Sequence, residues 1–224
     1  FIMVRPIQTI GDHNPLLDLI SEHSSMLLVR DSSNPERIIM SQYDDTYPKI
    51  DYRLRVNLIG GAEEKGDINP RYTLERELME EISYSEGKNF APKNFIDQLR
   101  DEIISSFNYH GTFQSFFLSY EGGLRKNYAS IDTTFISNIS NESFNQLENF
   151  LKQGLKIVTE GNITTLRLEE LKIATKLAAW DSGKIISDIY QTPIPNPDNV
   201  FCTKLKIPEL QDYKKLRNFF SFNN

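Results

Sequence analysis

Cysteine is almost missing from this chain of 224 residues. Cys202 is the only one, which excludes an internal disulfide and any metal site built from several cysteines. Histidine is nearly as scarce: His13, His23 and His110 are scattered without the spacing of a ligand set, and each reads as a surface or structural residue. No run of 18 apolar residues occurs, so no segment reads as a membrane-spanning helix. Positive charge is in deficit as well. A net charge of −6 leaves no basic footprint for duplex nucleic acid or an anionic membrane surface. The scarcity of cysteine, with first residues that lack the charged start and apolar core of a secretion signal, sets the expectation of a cytoplasmic protein.

What is present is an ordinary soluble composition, 39% hydrophobic and 25% charged, and one unusual stretch, Gly60 to Glu81 (GGAEEKGDINPRYTLERELMEE). A double glycine and a polar loop lead into a short helix, with Pro70 near its start. Glu77, Glu80 and Glu81 stand at i, i+3 and i+4, so one arc of that helix carries three carboxylates beside the apolar stripe Leu74, Leu78 and Ile82. No lysine lies one turn from any of the three, and Arg76 offsets only Glu80 from within the helix. Like charges so placed repel unless something positive sits on them. A solvated acidic face is the bland account; a hard divalent cation, Mg2+ or Mn2+, is the functional one, because such ions take oxygen ligands.

Gly61, the acid Asp67 and the run Arg76-Glu77-Leu78-Met79-Glu80-Glu81 resemble the Nudix box, Gly-x5-Glu-x7-Arg-Glu-U-x-Glu-Glu-x-Gly-U, with U a bulky aliphatic residue. The acid here is Asp; eight residues instead of seven separate it from Arg76, and Ile68 occupies the seven-residue position. Ser83 and Tyr84 stand where the pattern has glycine and an aliphatic residue. The resemblance implies an α/β/α sandwich with a mixed sheet. It also implies Mg2+- or Mn2+-dependent cleavage of the pyrophosphate bond in a nucleoside diphosphate linked to another group. By that resemblance Glu77, Glu80 and Glu81 are the metal ligands, with the carbonyl of Gly61 as an additional one, and Arg76 orients the acids through a pair with Asp67 or a neighbour. The general base would be a box glutamate or a loop acid elsewhere, with Glu160 the first choice and Glu121 the second. A small nucleotide-type substrate is the expected partner, and the resemblance leaves a homodimer open.

Periodicity supplies the remaining expectations. Extended segments are expected at Ile2–Ile10, Ser25–Asp31, Arg37–Gln42, Arg53–Ile59, Phe113–Tyr120 and Asp132–Ile139, with two short strands around Gly161. The spacing predicts helices over Lys93–Phe107, Ser143–Leu155 and Glu169–Ser187, and a short helix or turn over Pro15–Glu22. The expected organisation is one Nudix-like domain over residues 1–191, carrying a helical insertion at about 84–112, and an accessory tail over 192–224. The resemblance leaves two functions open. One is the hydrolase; the other is a catalytically inactive module of the same fold that binds or senses a nucleotide-type metabolite.

Overall fold

The computed structural model describes residues 20–47, 53–87, 89–121, 124–158, 161–174, 180–192 and 202–207. Its hub is β1 (Ile20–Asp31), whose run MLLV is apolar on both faces, as a strand covered from both sides must be. Leu27 and Val29 point to one side, Leu28 to the other. β2 (Arg37–Gln42) pairs antiparallel with the far end of β1, at Val29 and Arg30. The near end, Ser24 to Leu27, pairs antiparallel with β4 (Ile59–Ala62), and β3 (Val56–Asn57) stays on β2. On its other edge β1 runs parallel to β6 (Leu124–Ile139), which forms a long antiparallel ladder with β5 (Asn108–Glu121). β7 (Asn162–Arg167) extends β2, and β8 (Cys202–Ile207) closes the order β3-β2-β1-β6-β5-β8.

Helices cover both faces of this mixed eight-stranded sheet, giving an α/β/α sandwich. On the Leu27 side lie α1 (Pro70–Glu81), α2 (Lys93–Ser105) and α3 (Asn141–Lys152), which contribute Leu74 and Leu78, Phe95, Ile96, Leu99 and Ile103, and Phe144 and Leu147. The Leu28 side is covered by α4 (Leu168–Ala174) and α5 (Trp180–Tyr190), through Leu168, Leu171, Ile185 and Ile186. Among the described residues no helix is long and apolar enough to cross a membrane.

Several elements differ from the periodicity. The expected strand Arg53–Ile59 is two, because the chain changes partner midway from β2 to β1. At the change the Leu58 N–H leaves the ladder and donates to Ser182 Oγ of α5 at 3.0 Å. Val56 and Leu58 keep their buried side, whereas Leu54 sits outward at φ 59° and is 52% exposed. Of the two short strands expected around Gly161, β7 follows it; before it, among the described residues, Lys156 makes an isolated parallel bridge to Phe90. Ile20 to Glu22 belong to β1 and not to a helix, and residues of the expected accessory tail supply β8. The helix expected over Glu169–Ser187 is seen as α4 and α5, with 175–179 outside the described residues; the expected strand Ile2–Ile10 lies outside them too.

One helix is capped by another. Ser140 caps α3 by accepting from the Ser143 N–H at 3.2 Å, and the Glu102 carboxylate of α2 accepts from the Ser140 N–H and from Ser143 Oγ, each at 2.5 Å. Glu102 thus satisfies donors that an isolated α3 would leave to water. Glu102→Ala is expected to cost about 1–2 kcal/mol, the usual range for losing a side-chain cap, read as a lower urea midpoint at unchanged slope. An unchanged midpoint would show that water replaces the carboxylate at no cost.

Candidate active site

β4 carries Gly60 and Gly61, and each glycine solves a different packing problem. Gly60 has φ 139°, and a Cβ there would stand 2.0 Å from the backbone oxygen of Ser25, so only glycine lets β4 lie this close to β1. At Gly61 a Cβ would fall 2.3–2.5 Å from the carboxylate atoms of Glu77. The missing side chain is the seat in which that carboxylate rests. α1 is held over this strand by its apolar stripe and by Ser25 Oγ, which donates to the Pro70 carbonyl at 2.7 Å. Asn69, extended, caps the start of the helix by accepting from the Tyr72 N–H at 2.8 Å, and Pro70 follows at the first helical position.

Arg76 is the centre of the site. Its Nη2 donates to the Ala62 carbonyl at 2.8 Å and to Asp67 Oδ2 at 3.0 Å, while Nε reaches Asp67 Oδ1 at 3.3 Å. The third nitrogen, Nη1, faces Glu77 Oε1 at 2.9 Å, Glu80 Oε2 at 3.3 Å and Glu64 Oε1 at 3.7 Å. Asp67 is 3% exposed and also accepts from the Glu64 N–H at 2.9 Å. The loop acid that pairs with the arginine is therefore Asp67, with eight residues between them, and Ile68 at the seven-residue position is 67% exposed. Gly66, at φ 119°, makes the turn that accommodates the longer spacing, and the Asp67 N–H closes it on the Glu64 carbonyl at 3.0 Å.

The electrostatics follow from the geometry. The Arg76 hydrogen bonds, more than any other contact, hold the Asp67 carboxyl below the usual aspartate value, against the opposing effect of burial. The same pairing pushes the Arg76 guanidinium up. Glu77 moves the other way: burial raises its carboxyl, Arg76 opposes this, and the neighbouring Glu80 and Glu64 charges add to the rise. Four carboxylates share one guanidinium, so negative charge is in excess.

The residues singled out in the sequence are distributed unevenly. Glu77 and Glu80 meet at Arg76, Glu77 lies on Gly61, and Glu81 is the last residue of α1. Glu160 lies outside the described residues. Among the described residues no group of three or more His, Cys, Asp or Glu side chains is arranged to hold a metal ion, because the acids converge on Arg76. In chemistry the donor set nonetheless fits a hard divalent cation: its side chains are all carboxylates, and Glu77 is held against backbone. Glu64 and the Ala62 carbonyl were not legible beforehand. Their only signal was position, in a polar loop that acquires a shape once Asp67 and Arg76 pair.

Fold and site together describe an α/β/α sandwich with an arginine-centred acid cluster on a glycine strand. Comparison with solved structures returns several matches. They include a MutT protein from Methanosarcina mazei Go1 (TM-score 0.44, 10% identity, 76% of this chain and 92% of that chain). A C. elegans Ap4A hydrolase binary complex matches at TM-score 0.43 and 12% identity, over 76% of this chain and 96% of that chain. A NUDIX hydrolase from Alicyclobacillus acidocaldarius matches at TM-score 0.43 and 13% identity, over 77% and 92%. No protein-family model matches the sequence, and no curated protein matches it. At these identities and TM-scores the alignments add no weight on chemistry, which rests on the site itself.

Proposed function

We propose that this protein is a divalent-cation-dependent hydrolase that cleaves the pyrophosphate bond of a nucleoside diphosphate linked to another group. The observation that carries this reading is the gathering of Glu64, Asp67, Glu77 and Glu80 on the single guanidinium of Arg76, with Glu77 seated on Gly61. An anionic pyrophosphate is repelled by such a cluster unless cations come between them. Glu77, Glu80 and Glu81 would hold Mg2+ or Mn2+, with the Gly61 carbonyl as a further oxygen donor. The ion supplies Lewis-acid polarisation of phosphate oxygens and a bound water of lowered pKa. Arg76 ties the helix acids to the loop through Asp67 and keeps Glu77 against the strand. Glu160 is the residue we assign as the outside acid for deprotonating water.

The test is a nucleotide panel with Mg2+ or Mn2+, scored for release of a nucleoside monophosphate or phosphate and compared with a Glu80→Gln/Glu81→Gln double variant. Turnover that needs the metal and is absent from the double variant supports the reading. No turnover above that control with any nucleotide overturns it.

A second reading, a catalytically inactive nucleotide-binding module, is favoured by one observation: the acids converge on Arg76 and not on a common vacant point. Thermal stabilisation by a nucleotide without product formation would select it.

Gly61→Ala separates the seat of Glu77 from the rest of the site. The three atoms nearest the added methyl all belong to the Glu77 carboxylate, the far end of a flexible side chain, so the fold should survive and Glu77 should move off the strand. Turnover is expected to fall about tenfold or more, the usual effect of disturbing the support of a metal site, with the thermal midpoint near that of the wild type. Equal turnover in the two proteins would remove Gly61 from the site.

A further inference from the structure

α1 ends without the glycine cap that stops many helices. Its C-cap, Ile82, has φ −91° and ψ 81°, no basic residue lies in its last turn, and Ser83 follows where a left-handed glycine would satisfy the last carbonyls. Glu80 and Glu81 belong to this turn. The missing hydrogen bond comes instead from α2: Arg100 Nη1 donates to the Ile82 carbonyl at 3.1 Å, and Nη2 is held by Asp97 Oδ1 at 2.8 Å. Arg100 is 14% exposed, and its buried Nε has no hydrogen-bond partner. A guanidinium accepts that cost only where its position is imposed by packing. At the other end of the helix pair the contact is reciprocated, as Arg71 Nη2 of α1 donates to the Ile104 carbonyl of α2 at 3.3 Å and its guanidinium lies over Phe107. Each helix thus caps the other's C-terminus with an arginine, but only the Arg100 end carries candidate ligands.

We infer that Arg100 is a positioning residue for the cation-holding acids, fixing the last turn of α1 and with it the placement of Glu80 and Glu81. The inference rests on the cation site proposed above. A helix end fraying by one turn would release both carboxylates while leaving Glu77, a turn earlier, on Gly61. Arg100 therefore governs the affinity of the site for a cation, and Arg71, which braces the same helix pair at the far end, does not.

The experiment measures Mn2+ binding by electron paramagnetic resonance, with thermal denaturation in parallel, on the full chain and on Arg100→Gln, Arg71→Gln, Arg100→Lys and Asp97→Asn. Arg100→Gln is expected to weaken Mn2+ binding about tenfold, in the range for groups that orient ligands. Arg71→Gln stays within about twofold of the wild type, Arg100→Lys recovers most of the affinity because its ammonium can still donate to the Ile82 carbonyl, and Asp97→Asn loses affinity in the same direction as Arg100→Gln. Wild-type affinity in Arg100→Gln or in Asp97→Asn overturns the inference, and so does an equal loss in Arg71→Gln, which would mark general destabilisation. Should Arg100→Gln not fold, Asp97→Asn decides alone. A wild-type chain that binds no Mn2+ refutes the cation site itself, a result distinct from one in which the wild type binds and the Arg100 and Asp97 variants bind equally well.

Discussion

Arg76→Met is expected to cost about 3–5 kcal/mol at neutral pH, the penalty for leaving a buried charge without its partner. Asp67, 3% exposed, loses both hydrogen bonds from the guanidinium, and Glu77 and Glu80 lose the positive charge that separates them. The pH dependence distinguishes this cause from lost packing. In the wild type the folded Asp67 carboxyl lies below its unfolded value, so its contribution is complete above the unfolded pKa, about 3.9, and is lost as pH falls through the depressed folded value. In the variant burial acts unopposed by Arg76 and raises the folded value, so lowering the pH through that value restores stability. Urea midpoints for the two proteins should therefore converge on going from pH 7 towards pH 4. Parallel midpoints over that range would show that Asp67 is not the origin of the loss.

Glu80→Gln and Glu81→Gln should act in the opposite way, on turnover and not on the fold. Each substitution replaces a charged oxygen donor by a neutral amide of nearly the same shape, and loss of one electrostatic contact to the reacting groups typically costs about 10²–10³ in kcat. Glu80 is 59% exposed, and Arg76 keeps Asp67 and Glu77 without it, so its effect on stability should stay within about 0.5 kcal/mol. A dissociation between full stability and lost turnover is the signature of a site residue. Comparable turnover in wild type and both variants, at saturating Mg2+, would place the chemistry elsewhere.

The helices were legible because each buries a single stripe. Leu74, Leu78 and Ile82, then Phe95, Ile96, Leu99 and Ile103, then Phe144 and Leu147 recur at helical spacing and all reach the core. The meeting of Glu77 and Glu80 on one arc of α1 was legible for the same reason. Strand pairing was less so, since local pattern carries no record of partner: nothing in RLRVNLI shows that Val56 pairs with β2 and Ile59 with β1, or that Leu54 turns outward just before them. The loop acid falls in the same class. Counting residues between Asp67 and Arg76 leaves Asp67 and Ile68 as rivals, and only the turn at Gly66 decides. Arg100 was invisible as a cap, because what it satisfies is a carbonyl 18 residues away on a different helix.

The parallel pairing of β1 with β6 has a kinetic consequence. Ser24 Oγ donates to Asp132 Oδ1 at 2.5 Å across a separation of 108 residues, and the whole β1–β6 ladder has comparable reach. α1 and its glycine strand need only β1, which comes before them in the chain, as a partner. The β1 surface on which they dock gains its second edge only when residues up to Ile139 are available, after a loop closure whose entropy grows slowly with length but must be met before any contact repays it. During synthesis the acid helix is therefore made after β1 and β4, the two strands it packs on, but before β6 gives β1 its second edge. Refolding should be limited by this long-range strand pairing.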